Sequence, residues 1–497
     1  MTVEQRSNVS AADSAAVASP GEAMPRQVKI VIWLLLVATF VMILNETLMS
    51  VALPRLMSEF GVGAGTAQWL TTGFLLTMAV VIPTTGLILQ RFSTRGVFVA
   101  ATSLFSVGTA LAAVAPHFVV LVVGRMIQAG GTAMMLPLLS TTVITFVPVA
   151  RRGRTMGLIS IVIAVAPAVG PAASGLILSA LNWRWLFLAV LPIAVLSLAA
   201  GAVLVQNITT PRQVRCDLFS LVLSTLAFGG SIFGLSSIGE SAGGHASLPL
   251  AVPFSVSGVA IVMFVWRQLL LQREDAALLD LRPLRSRSFV VGLAGLLLSM
   301  GALFGTLVLL PIYLQNVRGL STLRTGLLLL PGGLVMGLIA PWVGRLYDRF
   351  GPRVLVIPGT SVLALALGAM STLDTGTPVS RIILVHMLQC LGLGCVLTPL
   401  MTHALGSLSP ALYAHGSAVL NTLQQLAGAA GTSLFVTVMN TAGATHAQSG
   451  EHPASAPIAG IQEAFLWGAG MALLALVASL FTRRSVRTAT SHGQALH

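Results

Sequence analysis

The chain has 497 residues, of which 55% are hydrophobic and only 8% are charged, and its net charge is +13. Soluble domains carry about 25% charged residues, so these few charges are too sparse to cover a water-facing surface. The basic residues lie in short clusters between apolar runs rather than along one polar face, which excludes a nucleic-acid binder. We therefore expect an all-α membrane protein that is neither an enzyme nor a nucleic-acid-binding protein.

The first segment is polar and rich in Ala and Ser, and Arg26 and Lys29 mark the start of the first apolar run. This run is too long for the core of a signal peptide, and no small-residue cleavage site follows it. We predict an uncleaved cytoplasmic tail over residues 1–27.

Apolar runs of about 20 residues recur along the rest of the chain, the length that spans a ~30 Å hydrocarbon layer. They predict fourteen transmembrane helices, near residues 30–53, 67–89, 96–115, 118–140, 155–180, 184–205, 217–238, 249–271, 289–314, 322–344, 354–373, 380–402, 415–441 and 461–482.

Basic residues give an independent check on this count, because cytoplasmic loops collect Lys and Arg. With a cytoplasmic start and fourteen helices, both termini are cytoplasmic and only five of the 27 basic residues fall in outer loops: Arg55, Arg184, Arg318, Arg324 and Arg381. Arg125 falls inside a helix, and the remainder lie on the cytoplasmic side. A miscounted helix would reverse this bias in every later loop.

An internal repeat predicts two related halves. The segment PTTGLILQRFSTRGV at 83–97 aligns without gaps to PWVGRLYDRFGPRVL at 341–355, and the two segments follow the second and the tenth predicted helix. Secondary transporters are commonly built from such repeats. We therefore predict a six-helix bundle at 28–205, a linker with two inserted helices at 206–285, a second six-helix bundle at 286–482, and a cytoplasmic tail at 483–497.

Glu46 is the only acidic residue placed well inside a predicted span, and Asp217 lies at the start of the seventh helix. A charged side chain at mid-helix costs about 2.5–3.5 kcal/mol on insertion scales, so it is usually paired, neutral or in contact with water. Arg125 lies at the same predicted depth as Glu46. One interpretation is a static pair that stabilises helix packing. The other is proton coupling, in which Glu46 gains and loses a proton under the influence of Arg125.

Residues on the same helical face as Glu46 suggest a binding pocket. Met42 precedes it by four residues, and Met49 and Ser50 follow it by three and four. Methionines adapt to varied apolar shapes. A soft pocket with one anion suits lipophilic cations. The alternative is that these methionines only pack against neighbouring helices.

Polar and helix-breaking residues mark three further helices. Polar side chains in lipid must face protein or water, which adds Gln128 and Thr132 on the fourth helix and Asn421, Gln424 and Gln425 on the thirteenth as candidate binding residues. The fifth helix is interrupted by residues that kink a membrane helix and permit close approach of a neighbour: Pro167, Gly170, Pro171 and Gly175.

The sequence contains no phosphate-binding loop and no histidine cluster beside its three cysteines, Cys216, Cys390 and Cys395. We therefore expect no cofactor and no metal, and an ion gradient as the energy source.

Several segments resemble the major facilitator superfamily, and specifically its fourteen-helix drug:proton antiporter branch around QacA and EmrB. The loop after the second helix is similar to the family's G-x-L-a-D-r-x-G-r-k motif through Gly86, Leu87, Arg91 and Arg95, with Gln90 and Ser93 in place of the usual Asp and Gly. Its counterpart in the second half keeps Gly344, Asp348, Arg349, Gly351 and Arg353.

Other motifs extend the resemblance. Arg125, Gln128 and Gly130 resemble the fourth-helix motif linked to proton transfer, and Gly170, Pro171 and Gly175 resemble the antiporter motif of the fifth helix. In the first helix LNETLMSVALPRL resembles the branch pattern L-D-x-T-x-x-x-V-A-L-P, with Asn45 at the usual Asp position and Glu46 after it. Asn45 and Glu46 are therefore both candidate substrate-binding residues.

The resemblance implies a monomeric, proton-coupled multidrug efflux antiporter in the bacterial cytoplasmic membrane that exports lipophilic, preferably cationic compounds by alternating access. It also implies gating roles for the loop residues and for the Pro and Gly residues of the fifth helix. Two alternatives stay open. One is an exporter dedicated to a single endogenous amino acid, lipid or antibiotic, and the other is a structural or sensory membrane protein without transport activity.

Overall fold

The computed structural model describes residues 26–147, 149–205, 207, 217–242, 249, 251–274, 279–409, 412–448 and 456–482. The predicted tails lie outside the described residues, apart from residues 26 and 27. The described chain is helical throughout, with fourteen long helices joined by short connections. The predicted fold class is confirmed.

We number the long helices in chain order. They are α1 Arg26–Phe60, α2 Trp69–Arg91, α3 Thr94–Ala113, α4 Phe118–Phe146, α5 Val149–Ala180, α6 Leu191–Leu204, α7 Leu218–Ala242, α8 Ala251–Leu271, α9 Arg287–Ile312, α10 Thr322–Phe350, α11 Arg353–Met370, α12 Val379–Gly406, α13 Tyr413–Gln448 and α14 Ala456–Leu480. Four-residue helical turns, Ala64–Ala67 and Trp185–Leu188, precede α2 and α6.

Eleven helices of the described chain are long and apolar enough to cross a membrane by length and composition. Most boundaries lie within a few residues of the predicted ones. The larger differences are of two kinds: α1, α4, α5, α10 and α13 extend beyond the apolar runs by a turn or more, and α6 begins seven residues later than predicted, after the helical turn Trp185–Leu188. Hydropathy detects the apolar part of a helix, whereas the backbone hydrogen bonds continue into polar flanks.

Short side chains set several helix ends. The hydroxyl groups of Ser93, Ser286 and Ser321 each accept a hydrogen bond from the backbone N–H three residues later, at the starts of α3, α9 and α10. Gly351 ends α10 with a φ of 79°, a left-handed conformation that favours glycine. Ser93, which replaces the usual family glycine, therefore caps α3.

The helices form two similar halves. In the first half α1 packs against α4, α5 and α6, and in the second half α9 packs in the same way against α12, α13 and α14. The main contacts between the halves are α5 with α10 and α2 with α13. These two pairs are equivalent under the repeat, because α2 corresponds to α10 and α5 to α13.

The inserted helices α7 and α8 pack on each other, and α7 also lies against α2 and α13. The pair therefore covers one of the two interfaces between the halves. On its outer side α8 presents apolar residues such as Val262 and Trp266, which are 68% and 63% exposed. In a membrane protein such a face meets lipid.

Candidate functional site

Arg125 of α4 is the centre of a polar cluster inside the first half, and it is 1% exposed. Its Nη1 donates to the side-chain oxygen of Asn45 at 2.7 Å, to the backbone oxygen of Asn45 at 3.3 Å and to Gln128 Oε1 at 3.1 Å. Its guanidinium also lies over the ring of Phe74, 4.3 Å from the centroid. The cluster thus connects α1, α2 and α4.

Gln128 extends this cluster to α3. Its side-chain nitrogen donates to the hydroxyl of Thr109 at 2.7 Å, and that hydroxyl donates to the backbone oxygen of Phe105 at 2.6 Å. The close approach of α3 and α4 depends on Gly108 and Gly124, because a Cβ at Gly108 would lie 2.6 Å from the backbone nitrogen of Gln128. Small residues at a helix crossing permit such an approach.

Neutral oxygen atoms and an aromatic face surround the Arg125 charge, and no carboxylate of the described chain forms a salt bridge with it. The Glu46 carboxylate acts on it through Coulombic attraction alone. Arg125 Nε and Asn45 Nδ2 have no hydrogen-bond partner there. A buried cation with unsatisfied donors is costly, of the order of 1–3 kcal/mol for each missing partner. A group held at this cost inside a membrane-spanning helix is a candidate for a functional role.

Glu46 lies next to Asn45 on α1 and is half-buried. Its backbone oxygen is 3.4 Å from Arg125 Nη2, so the structure brings the two residues to one depth. Its carboxylate forms no hydrogen bond or ion pair with any described residue. Asn45 therefore holds the guanidinium, while the Glu46 carboxylate beside it stays unpaired.

The other candidate residues of α1 are inside the core of the first half. Met42 and Met49 are 2% and 1% exposed, and Met42 borders a very small cavity with Thr102 and Phe105 of α3. Ser50 is also buried and donates to the backbone oxygen of Thr47 at 2.8 Å. In this conformation the two thioethers pack, as the alternative interpretation proposes.

The polar candidates on α4 and α13 differ in whether their side chains already form hydrogen bonds. Thr132 is buried and donates to the backbone oxygen of Gln128 at 3.0 Å, while Asn421 donates to the backbone oxygen of Ser417 at 2.9 Å. Gln424 and Gln425 are half-buried, and their amide groups have no hydrogen bond with the described chain. These two amides are free to bind a solute.

Glycines of α5 permit close helix contacts both within the first half and between the halves. Within the first half, Gly170 lies directly against Thr47 of α1, which leaves no room for a Cβ. A Cβ at Gly175 would lie 2.6 Å from the backbone oxygen of Thr322, and Gly326 packs on Pro171 in the same way. Pro167 precedes this contact and is half-buried.

A hydrogen bond between the halves lies at the same end, from Gln315 Nε2 to the backbone oxygen of Val51 at 2.9 Å. We call the region where α1 ends, α5 ends and α10 begins the closed end. Positive-inside counting predicts that it faces outward.

The opposite end holds the two loop motifs, between α2 and α3 and between α10 and α11. Arg91, Arg95, Asp348 and Arg349 are exposed, and Arg353 donates to the backbone oxygen of Leu480 within its own half at 3.1 Å. A Cβ at Gly86 or at Gly344 would meet nothing within 4 Å. Among the described residues, no hydrogen bond or ion pair joins these motif residues to the other half.

Sequence reasoning missed several members of the site. It assigned Asn45 to substrate binding, whereas the structure shows this residue as the partner of Arg125. Phe74, Thr109 and Gln315 were not identified. A polar residue on a helix that faces Arg125 was a usable signal for Thr109, but Phe74 is one of 20 phenylalanines and nothing in the sequence distinguishes it.

The two helical halves, the buried cation within the first half and the closure at one end are the features of a polytopic membrane transporter. The chain belongs to the Major Facilitator Superfamily, whose family model matches residues 35–432.

Curated relatives extend this assignment. The chain is 41% identical over 455 residues to the lincomycin resistance protein LmrB of Listeria monocytogenes, which covers 90% of this chain and 96% of the relative. It is 30% identical over 407 residues to a multidrug resistance protein B homolog of Mycobacterium tuberculosis, which covers 79% of this chain and 72% of the relative.

A solved structure supports the fold. A bacterial homolog of the human lysosomal transporter Spinster matches with a TM-score of 0.64 at 13% identity, over 92% of this chain and 98% of that one.

Proposed function

We propose that this protein is a proton-coupled exporter of lipophilic, preferably cationic compounds, located in a bacterial cytoplasmic membrane with both termini in the cytoplasm. Support for drug export comes from the relatives, one named for lincomycin resistance and one for multidrug resistance. Lincomycin is therefore the first substrate to test.

The observation that carries proton coupling is the unpaired carboxylate of Glu46. It is half-buried in α1 beside a buried guanidinium that Asn45 already binds. Burial disfavours the charged form of a carboxyl group and a neighbouring cation favours it. A carboxyl group between these opposed effects changes its protonation when access to water changes.

The same carboxylate suits a cationic substrate. A proton and a cation compete for one negative charge, so binding of the substrate displaces the proton and the two move in opposite directions. The free amides of Gln424 and Gln425 on α13 supply polar contacts from the other half.

The driving force follows from the charges moved. One pH unit supplies about 1.4 kcal/mol per proton, and 100 mV supplies about 2.3 kcal/mol per net charge. Exchange of one proton for one monovalent cation moves no net charge, so the pH difference alone drives it. A neutral substrate or a second proton adds the membrane potential as a driving force.

The test is transport by the full-length protein in proteoliposomes with an imposed pH gradient, with radiolabelled lincomycin and ethidium as separate substrates. We expect substrate movement against its gradient, and we expect it to stop when a protonophore removes the pH difference. Glu46→Gln is expected to abolish this uphill transport and to retain downhill exchange of substrate.

Glu59→Gln is the matched control, because Glu59 is an exposed acid on the same helix. It is expected to transport like the wild type. Uphill transport at the wild-type rate in Glu46→Gln would contradict the proposed role of Glu46. Transport of neither compound, with uphill movement of a single metabolite, would instead support a dedicated exporter.

A further inference from the structure

A groove of about 900 Å³ lies on the second half, between α13 and α14. The main helix contacts of α14 are all with its own half. Its polar rim includes Ser371, His446, Gln462 and Glu463, and its apolar wall includes Trp467 and Leu474. The transport mechanism uses none of these residues.

The polar rim lies at the membrane surface. Gln462 Nε2 donates to the backbone oxygen of Leu373 at 2.8 Å, and Leu373 belongs to the connection between α11 and α12 at the closed end. From Glu463 to Leu474, α14 rises about 16 Å at 1.5 Å per residue. The groove therefore runs from the surface to about the middle of a ~30 Å hydrocarbon layer.

Glu463 is exposed on this rim, and no described residue forms an ion pair or hydrogen bond with its side chain. The wall below it is apolar and open to lipid, with Leu466, Trp467 and Leu474 exposed by 59%, 54% and 60%. A carboxylate beside lipid is costly without a partner. Within the described residues the rim thus offers no cation to Glu463, and the wall is open to an apolar chain.

We propose that this groove binds one phospholipid whose head group carries an ammonium ion. The ammonium donates to the Glu463 carboxylate, and an acyl chain lies along the wall from Trp467 to Leu474. Charge-assisted hydrogen bonds are stronger than neutral ones, and the indole face of Trp467 also attracts a cation. Anionic lipids are repelled at the rim, and a quaternary ammonium has no N–H to donate.

A lipid is favoured over an exported compound because of where the groove opens. It faces the bilayer at the closed end, on the outside of the second half, and the space between the halves lies elsewhere. The α13 helix that forms one wall also contacts α2 of the first half. A bound lipid is thus placed where it can stabilise one of the moving interfaces.

The experiment is native mass spectrometry of the purified, full-length protein with phosphatidylethanolamine, phosphatidylcholine and phosphatidylglycerol of identical acyl chains. We expect one phosphatidylethanolamine to bind most tightly. Glu463→Gln is expected to weaken its binding about tenfold, to the level of phosphatidylcholine, whereas Glu59→Gln, a change of another exposed acid near the closed end, leaves it unchanged.

A second pair of variants tests the wall. A Cβ at Gly470, which lines the groove, meets nothing within 4 Å, and the same is true of Gly258 on lipid-facing α8. Gly470→Leu is expected to exclude the lipid, and Gly258→Leu is expected to leave its binding unchanged. Equal binding of the three lipids, unchanged affinity in Glu463→Gln and Gly470→Leu, or one-to-one displacement of the lipid by tetraphenylphosphonium would each overturn the proposal.

Discussion

At the scale of single residues, Asn45 and Glu46 are neighbours on α1 and have different roles. Asn45 accepts a 2.7 Å hydrogen bond from Arg125, and this leaves the carboxylate of Glu46 unpaired. The sequence predicted that Glu46 and Arg125 share one depth, because both lie near the same end of their helices. It did not predict which side chain takes the guanidinium. Neighbouring residues point about 100° apart on a helix, so the partner depends on how α1 is rotated against α4.

Removal of the Asn45 side chain tests this division. In Asn45→Ala the buried guanidinium loses its shortest hydrogen bond, and bonds to charged groups contribute about 1.5–3 kcal/mol. We expect a lower thermal unfolding midpoint of the purified protein and slower pH-driven transport, because Arg125 is then free to pair with Glu46.

Ser50→Ala is the matched control for that variant, because the Ser50 hydroxyl bonds only to the backbone of its own helix. An Asn45→Ala protein as stable and as active as Ser50→Ala would show that Asn45 does not hold Arg125 in the working protein.

At the scale of helices, two kinds of contact decide the conformation. Glycines let α5 and α10 touch at the closed end, and the sequence indicated this region through its Pro and Gly pattern. Which helix approaches those glycines was not predictable from the pattern, because α10 lies far away in the chain.

Gly175→Ala is expected to weaken the closed end. Its Cβ would lie 2.6 Å from the backbone oxygen of Thr322, and such overpacking costs about 1–3 kcal/mol. In a protein whose three native cysteines are replaced, a Val51→Cys thiol is buried at this end. We expect Gly175→Ala to raise about tenfold the rate at which an impermeant maleimide labels the Val51→Cys thiol.

Gly258→Ala is the control, since its Cβ meets nothing within 4 Å. Both variants replace a helical glycine with alanine, so any gain in helix propensity is the same in the two. Equal labelling in the two backgrounds would mean that the α5 and α10 contact does not hold the end shut.

An ion pair joins the two inserted helices, between Arg267 of α8 and Asp217 just before α7. Arg267 Nε donates to Asp217 Oδ2 at 2.8 Å, and the hydrogen bond from Arg267 lowers the pKa of Asp217 to about 2. A carboxyl group with a lowered pKa in the folded state stabilises above its unfolded value of about 3.9 and loses this contribution as the pH falls through about 2. Because Arg267 is 35% exposed, solvent screening limits the contribution to about 1 kcal/mol.

Asp217→Asn is therefore expected to lower the unfolding midpoint at neutral pH by the equivalent of about 1 kcal/mol, and its difference from the wild type is expected to shrink between about pH 4 and about pH 2. Thermal unfolding in detergent across this range measures it. Transport is expected to stay near the wild-type rate. A midpoint equal to the wild type at neutral pH would contradict a stabilising role for the pair.

At the scale of the whole molecule, the sequence predicted the all-helical fold, fourteen helices and duplicated halves. Apolar runs of membrane-spanning length form helices in lipid, because only a helix satisfies all of their backbone hydrogen bonds. The positions of the helices are therefore easier to predict from the sequence than the conformational state. The conformational state was not predictable. Closure at the end of α5 arises from contacts between helices that are far apart in the chain, and a sequence motif is the same in every state of the cycle.

Substrate-induced proton release from the purified protein in weakly buffered detergent tests the central claim most directly. We predict that lincomycin or ethidium releases protons from the wild type and from Glu59→Gln. Glu46→Gln is predicted to bind the same compound, as seen by fluorescence or equilibrium dialysis, and to release none. Proton release from Glu46→Gln equal to that of the wild type at equal occupancy would contradict the account.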